Sequence, residues 1–150
     1  MQFATVGDEE TNKVYVVVEN AEGAVLENEK VVVWTATTTD AKQGYQVELP
    51  TAVIGTDGID AKVAGVVDST IDTAATGRLQ IYGPATVRAS ASLNVSMLVV
   101  TNTNNATNIG HVYESPLNTD QTPSFHGAIV GWTMENGPTA TQSRVMLSWL

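Results

Sequence analysis

The sequence predicts an all-β fold: a small antiparallel β-barrel or sandwich with an extended N-terminal arm. Three observations carry this. Val occurs 21 times and Thr 20 times in 150 residues, and β-branched side chains favour strands over helices. No window of ten or more residues shows the apolar spacing of an amphipathic helix. From Val87 to Val99 apolar residues (Val87, Ala89, Ala91, Leu93, Val95, Met97, Val99) alternate with Arg88, Ser90, Ser92, Asn94 and Ser96, the period of a half-buried strand. At 43% apolar, the chain has the composition of one globular domain with a real core.

The elements follow in order. Residues 1–13 are polar and acidic around Phe3 and Val6 and read as an arm; the domain proper is expected over 14–150. Lys13–Glu19 is a β-branched strand that ends at the turn Asn20-Ala21-Glu22-Gly23. Val31–Trp34 is a second buried run. Tyr45, Val47 and Leu49 alternate with Gln46 and Glu48 up to Pro50, a half-buried strand. Gly55–Gly58 is a turn, and Ala64–Val67 is a short buried strand. Leu79 and Ile81 alternate with Arg78 and Gln80, and this strand is expected to close at Gly83-Pro84. The alternation from Val87 is long for one strand, so a turn or bulge is expected near Ser90–Ser92. Residues 101–124 are rich in Asn, Thr and Pro and read as one long loop. Phe125–Val130 and Arg144–Leu150 read as the last two strands, separated by the turn Glu135-Asn136-Gly137-Pro138.

The strands echo one another. Gly65-Val66-Val67 followed by Arg78–Ile81 is matched by Gly127–Val130 followed by Arg144–Leu147, with a second span four residues longer. Glu29–Tyr45 pairs loosely with Ser92–Gly110. A pseudo-repeat over 29–83 and 92–150 would build a pseudo-symmetric barrel or sandwich from two related hairpin units.

Chemistry is excluded more readily than assigned. The absence of Cys removes disulfides, iron–sulfur clusters and thiol nucleophiles. A net charge of −9 with seven scattered Lys and Arg offers no phosphate-binding patch, so nucleic acid is not an expected partner. No stretch reaches membrane-spanning length, and the N-terminus has neither the basic nor the apolar region of a secretory signal. The two histidines, His111 and His126, lie near Glu114 and Asp120 without metal-ligand spacing. Asp57 with Asp60, and Asp68 with Asp72, are paired carboxylates, but they read first as a turn and a solvated edge. Trp34, Trp132 and Trp149 sit in or beside apolar runs and are expected in the core, Trp132 least firmly. The expectation is a non-enzyme with no cofactor and no metal site.

One resemblance adds to this. Lys62–Val67, then Gly77-Arg78-Leu79-Gln80-Ile81-Tyr82-Gly83-Pro84-Ala85, with Glu29–Trp34 and Gly44–Val47 upstream, resembles the capsid decoration, or cement, proteins of tailed bacteriophages. It covers about residues 30–150. It departs from the family pattern at Glu29, where the common form has Gly before the Val run. The resemblance implies a structural virion protein, made in the bacterial cytoplasm, that binds the capsid exterior and stabilises contacts between coat subunits. The implied partners are the major capsid protein and further copies of the chain, as a homotrimer or other homo-oligomer. Phe3, Val6, Asp8, Glu9 and Glu10 of the arm are the expected contact residues. The alternative expectation is a carbohydrate-binding β-module of a tail or head fibre, which requires Trp132 to be exposed.

Overall fold

The computed structural model describes residues 3–8, 11–35, 44–50, 63–101, 108–114, 129–135 and 142–147. Among them are ten strands: β1 Phe3–Asp8, β2 Thr11–Asn20, β3 Val31–Trp34, β4 Gln46–Glu48, β5 Val63–Val67, β6 Thr76–Val87, β7 Leu98–Thr101, β8 Val112–Glu114, β9 Ile129–Thr133 and β10 Ser143–Leu147. The described residues contain no α-helix.

Five strands close a barrel in the order β2-β4-β3-β5-β6, with β6 returning to β2. Its pairs are antiparallel except β2 with β4, which runs parallel (Glu19 opposite Gln46, Asn20 opposite Val47). The wholly antiparallel arrangement expected from sequence is therefore corrected at one seam, and parity is the reason. Strands alternating up and down around a closed ring of odd number must leave one parallel pair.

The second correction concerns β6. It does not stop at Gly83-Pro84 but runs on to Val87. Its first half, Thr76 to Tyr82, pairs with β2; its second half, Gly83 to Val87, pairs with β10. Gly83 takes a φ of 88°, a conformation natural to glycine. Pro lacks a ladder donor, and Pro84 sits just where the strand changes partners.

From there a second ring is built in the order β6-β10-β9-β7-β8. It closes by a parallel bridge between Ala89 and Val112, with Val112 N–H donating to Arg88 O and Ser90 N–H to Val112 O. The two rings have the same connectivity, with β3, β4 and β5 corresponding to β7, β8 and β9. The first half of β6 corresponds to β10, and β2 to the second half of β6. Both contain the same irregularity: Val32 faces Gly65 and Val33 faces Val63, while Val99 faces Gly131 and Val100 faces Ile129. Ala64 and Val130 are the extra residues, each buried in its own core. Glu29 (φ 66°) and Ser96 (φ 63°) precede β3 and β7, and Gly44 (φ 72°) and Gly110 (φ 78°) precede β4 and β8. The counterpart of Gly65 is thus Gly131, not Gly127, and the spans to Arg78 and Arg144 are equal in length.

Each ring has a core. The first contains Val16, Val18, Leu26, Val32, Val47, Ala64, Val67, Ile71 and Leu79. The second contains Ala85, Val87, Ala89, Leu93, Val99, Val112, Val130, Val145 and Leu147, and also takes in Val31 and Val66 from the first barrel's strands.

Other expectations are adjusted by packing. Residues 3–8 of the arm pair with β2 (Phe3 opposite Val16, Asp8 opposite Thr11), so β2 begins at Thr11, two residues before the expected strand. The alternation of 87–99 is broken: β6 ends at Val87, and the chain bends through 88–97 before β7. The long loop of 101–124 contains β8. Tyr45, expected on a buried face, is exposed. The turn at 55–58, His126, residues 125–128 and Trp149 lie outside the described residues.

Candidate functional site

Three surfaces carry the residues that sequence and structure single out. The first is the N-terminal ribbon. Phe3, Val6 and Asp8 lie on β1, opposite Val16, Lys13 and Thr11 of β2; Glu9 and Glu10 lie outside the described residues. The backbone register places this ribbon against the start of the strand that enters the first barrel.

The second surface is the waist between the barrels, built on the segment 27–31. Glu29 N–H donates to Val67 O (2.8 Å) and Val67 N–H to Lys30 O (2.9 Å), tying the segment to β5. Arg88 N–H donates to Glu29 O (2.9 Å) and Val31 N–H to Gly110 O (2.7 Å), tying it to the second ring. The Glu27 carboxylate accepts from Arg88 (2.6 Å) and pairs with Lys30 (3.1 Å), which holds it below the usual carboxylate range, Lys30 chiefly. Gln142 donates to Glu29 Oε2 (2.6 Å). His111 is half-buried here with its Nδ1 unpartnered. Burial, then the charges of Lys30 and Arg88, push its pKa down. A polar cleft of about 180 Å³ opens beside the segment, lined in part by Lys13, Asn28, Glu29, Asp68, Gln80 and Thr86. Among the described residues no three His, Asp or Glu side chains group as metal ligands would. Asp68 instead pairs with Arg78 (2.7 Å), whose guanidinium lies 5.2 Å from the Tyr15 ring centroid. Asp72 is exposed, and Asp57 and Asp60 lie outside the described residues.

The third surface is the outer face of the second ring. Trp132 is 47% exposed, a correction to its expected core position. It stands directly opposite Leu98 on β7 and Met146 on β10, both half-buried, and directly opposed residues share a face. Met134, two residues on, is also exposed. Trp34 is half-buried and packs against the first core. Leu98 and Met146 are absent from the sequence-based site residues. The signal for Met146 is parity, since Ser143, Val145 and Leu147 point inward.

The three surfaces thus sit on two β-rings that share a through-strand: a paired N-terminal ribbon, a polar waist and a partly apolar outer face. The sequence matches no protein-family model and no curated protein. The fold does have a likeness among solved structures. It is similar to the N base of the head fiber protein gp8.5 of bacteriophage phi29, with a TM-score of 0.52 and 12% identity over 89% of this chain and 94% of that one.

Proposed function

We propose that this chain is a structural protein of a bacteriophage head, without enzymatic activity. In this reading it is a decoration or cement protein that binds the capsid exterior and bridges neighbouring coat subunits. The observation that carries the reading is the likeness to the phi29 head fiber base, which extends over nearly the whole of both chains. Fold alone does not dictate function; the sequence resemblance of Lys62–Val67 and Gly77–Ala85 to capsid decoration proteins is a separate support. The physics agrees. Closed rings hide their sheet edges and make a rigid body. A charge of −9 suits a basic patch on a coat lattice, and many identical weak contacts add up on a repeating shell. The ribbon at Phe3–Asp8 is the proposed contact, adding backbone hydrogen bonds to a coat strand.

The carbohydrate-binding alternative needs an exposed aromatic face with hydrogen-bonding groups beside it. Trp132 supplies the face, but its cross-strand neighbours are Leu98 and Met146, which suits an apolar partner better than a sugar.

The test is to mix purified protein with expanded heads that lack it, pellet the heads and count bound copies. Saturation at a number that matches the lattice, with heads that better resist heat, is the expected result. A folded protein that stays in the supernatant at every concentration would end the capsid reading.

A further inference from the structure

We propose that this chain associates head to tail with further copies of itself, through the outer face of the second barrel centred on Trp132. The argument comes from comparing the two rings position by position. On the first barrel, Val31, Val66, Gln80 and Tyr15 form one cross-strand row. Their chain neighbours Val32, Val67, Leu79 and Val16 fill the first core, so the row points outward. An outward row should meet water, yet Val31 is 0% and Val66 2% exposed. The second barrel covers them: both belong to its core cluster, with Ala85, Val87 and Val145. Gln80 Nε2 reaches the same way, donating to Pro84 O (2.8 Å) and Tyr82 O (3.1 Å) of β6.

The corresponding row on the second barrel is Leu98, Trp132, Met146 and Pro84, joined by the same pairings. Its inward neighbours Val99 and Val145 fill the second core. Here the central position, the counterpart of buried Val66, is Trp132 at 47% exposure. The same row is therefore wholly covered by a following barrel in one half of the molecule, whereas in the other its centre, Trp132, is exposed between half-buried Leu98 and Met146. The molecule itself shows what fits such a face: the end of another barrel of this kind, at the strand that enters it.

That strand in the covering barrel is the second half of β6, and its counterpart in the first barrel is β2. The occupant is thus the first barrel of a second copy, at the end where β2 begins. β2 is built for a junction. Residues 11–13 run past Val14, its first pairing with β6, and carry β1 alongside. An interface between two different patches of the same chain propagates or closes into a ring, according to the rotation at each step.

Purified protein without heads suffices for the test, so its outcome is independent of capsid binding. In sedimentation velocity the wild type should form species larger than a dimer, either growing with concentration or saturating at a ring. Trp132→Glu should remain monomeric at the same concentrations with an unchanged far-UV circular dichroism spectrum. Trp132→Ser should weaken association at least tenfold should the Glu variant not fold. Trp132→Glu keeps its β2 end, so added at one part in ten to the wild type it should cap growing chains or open rings and lower the mean mass. A wild type that stays monomeric at high concentration overturns the proposal, as does a Trp132→Glu variant that assembles normally. A wild type that stops at a dimer which the variant cannot join points to a face-to-face contact and overturns it too. So does a monomer whose Trp132 fluorescence responds to a glycan.

Discussion

At the scale of single residues, the molecule is most constrained where the backbone does something unusual. Gly131 is one such place: a β-carbon there would collide with the Met146 carbonyl oxygen, and at Gly65 it would lie 2.7 Å from the Gln80 carbonyl. Both obstacles are backbone of the neighbouring strand and cannot swing aside. Gly131→Ala is expected to lower stability by about 1–3 kcal/mol, the cost of overpacking, read as a lower urea midpoint. Glu29 is the opposite case. It holds a φ of 66°, in a region that costs a side-chain-bearing residue roughly 1–2 kcal/mol, and its carboxylate makes one exposed contact with Gln142. Glu29→Gly should raise the urea midpoint, offset in part by glycine's greater freedom when unfolded; a lower midpoint would mean the Gln142 contact matters more than the backbone. His111 gives a pH dependence with a definite sign. Its pKa is lowered in the folded protein, chiefly by burial, so the unfolded chain takes the proton more readily. Stability is then complete above the ordinary histidine range and falls as pH drops from about 6.5 through the folded-state value. Urea midpoints between pH 7.5 and 5 should fall more steeply for the wild type than for His111→Gln; parallel slopes would dismiss the histidine as the cause.

At the scale of elements, what the sequence reveals depends on how far an element's neighbours lie along the chain. β3 and β5 are legible because each is a short, Val-rich apolar run, and the break in the alternation of 87–99 is legible from its length. The parallel seam between β2 and β4 is not, since parity belongs to the ring and not to any segment. β8, at three residues, is too short to show a period and disappears into the Asn-rich stretch before it. Gly83-Pro84 reads as a stop because in most strands it would be one; only the change of partner from β2 to β10 lets β6 pass through it. The exposure of Trp132 is missed for a related reason. Gly131 and Thr133 flank it as they would a buried residue, and what decides its exposure is whether anything stacks on the sheet's outer face. Asn20 shows the reverse. It reads as a turn former, and it is also a clamp: its buried Nδ2 lies within reach of Ala24 O, Ile71 O and Asp72 O, and its Oδ1 accepts from Glu22 N–H. Asn20→Ala removes the shared amide donor and leaves the Glu22 N–H without its acceptor, while Ile71 O and Asp72 O keep backbone donors from Leu26 and Ala75, so a loss of about 1–3 kcal/mol is expected. Because the clamp joins the 21–26 turn to the 71–72 turn, amide exchange at Leu26 and Ile71, which bond each other's backbone, should accelerate together.

At the scale of the whole molecule, the question is whether two barrels of the same plan behave as one folding unit. Two features tie them. β6 is a single unbroken strand that supplies a wall to each ring, so neither ring can lose its share of β6 without disturbing the other. The second core is also incomplete without Val31 and Val66, whose strands belong to the first barrel. A chain of weakly joined repeats melts unit by unit; a shared strand and a shared core argue for one cooperative transition. The fluorescent probes are well placed to decide. Trp34 packs on the first core and Trp132 stands on the outer wall of the second. In variants retaining only one or the other, with the remaining tryptophans changed to Phe, the urea transitions should coincide once each variant's own stability change is measured by circular dichroism. Leu79→Ala empties a fully buried position in the first core and should cost about 2–5 kcal/mol. The sharper expectation is where that loss is felt. If the barrels are one unit, the Trp132 signal in the second barrel shifts by the same amount as the Trp34 signal in the first. A Trp132 transition unmoved by Leu79→Ala would mean that β6 frays at Gly83 and that each ring stands alone.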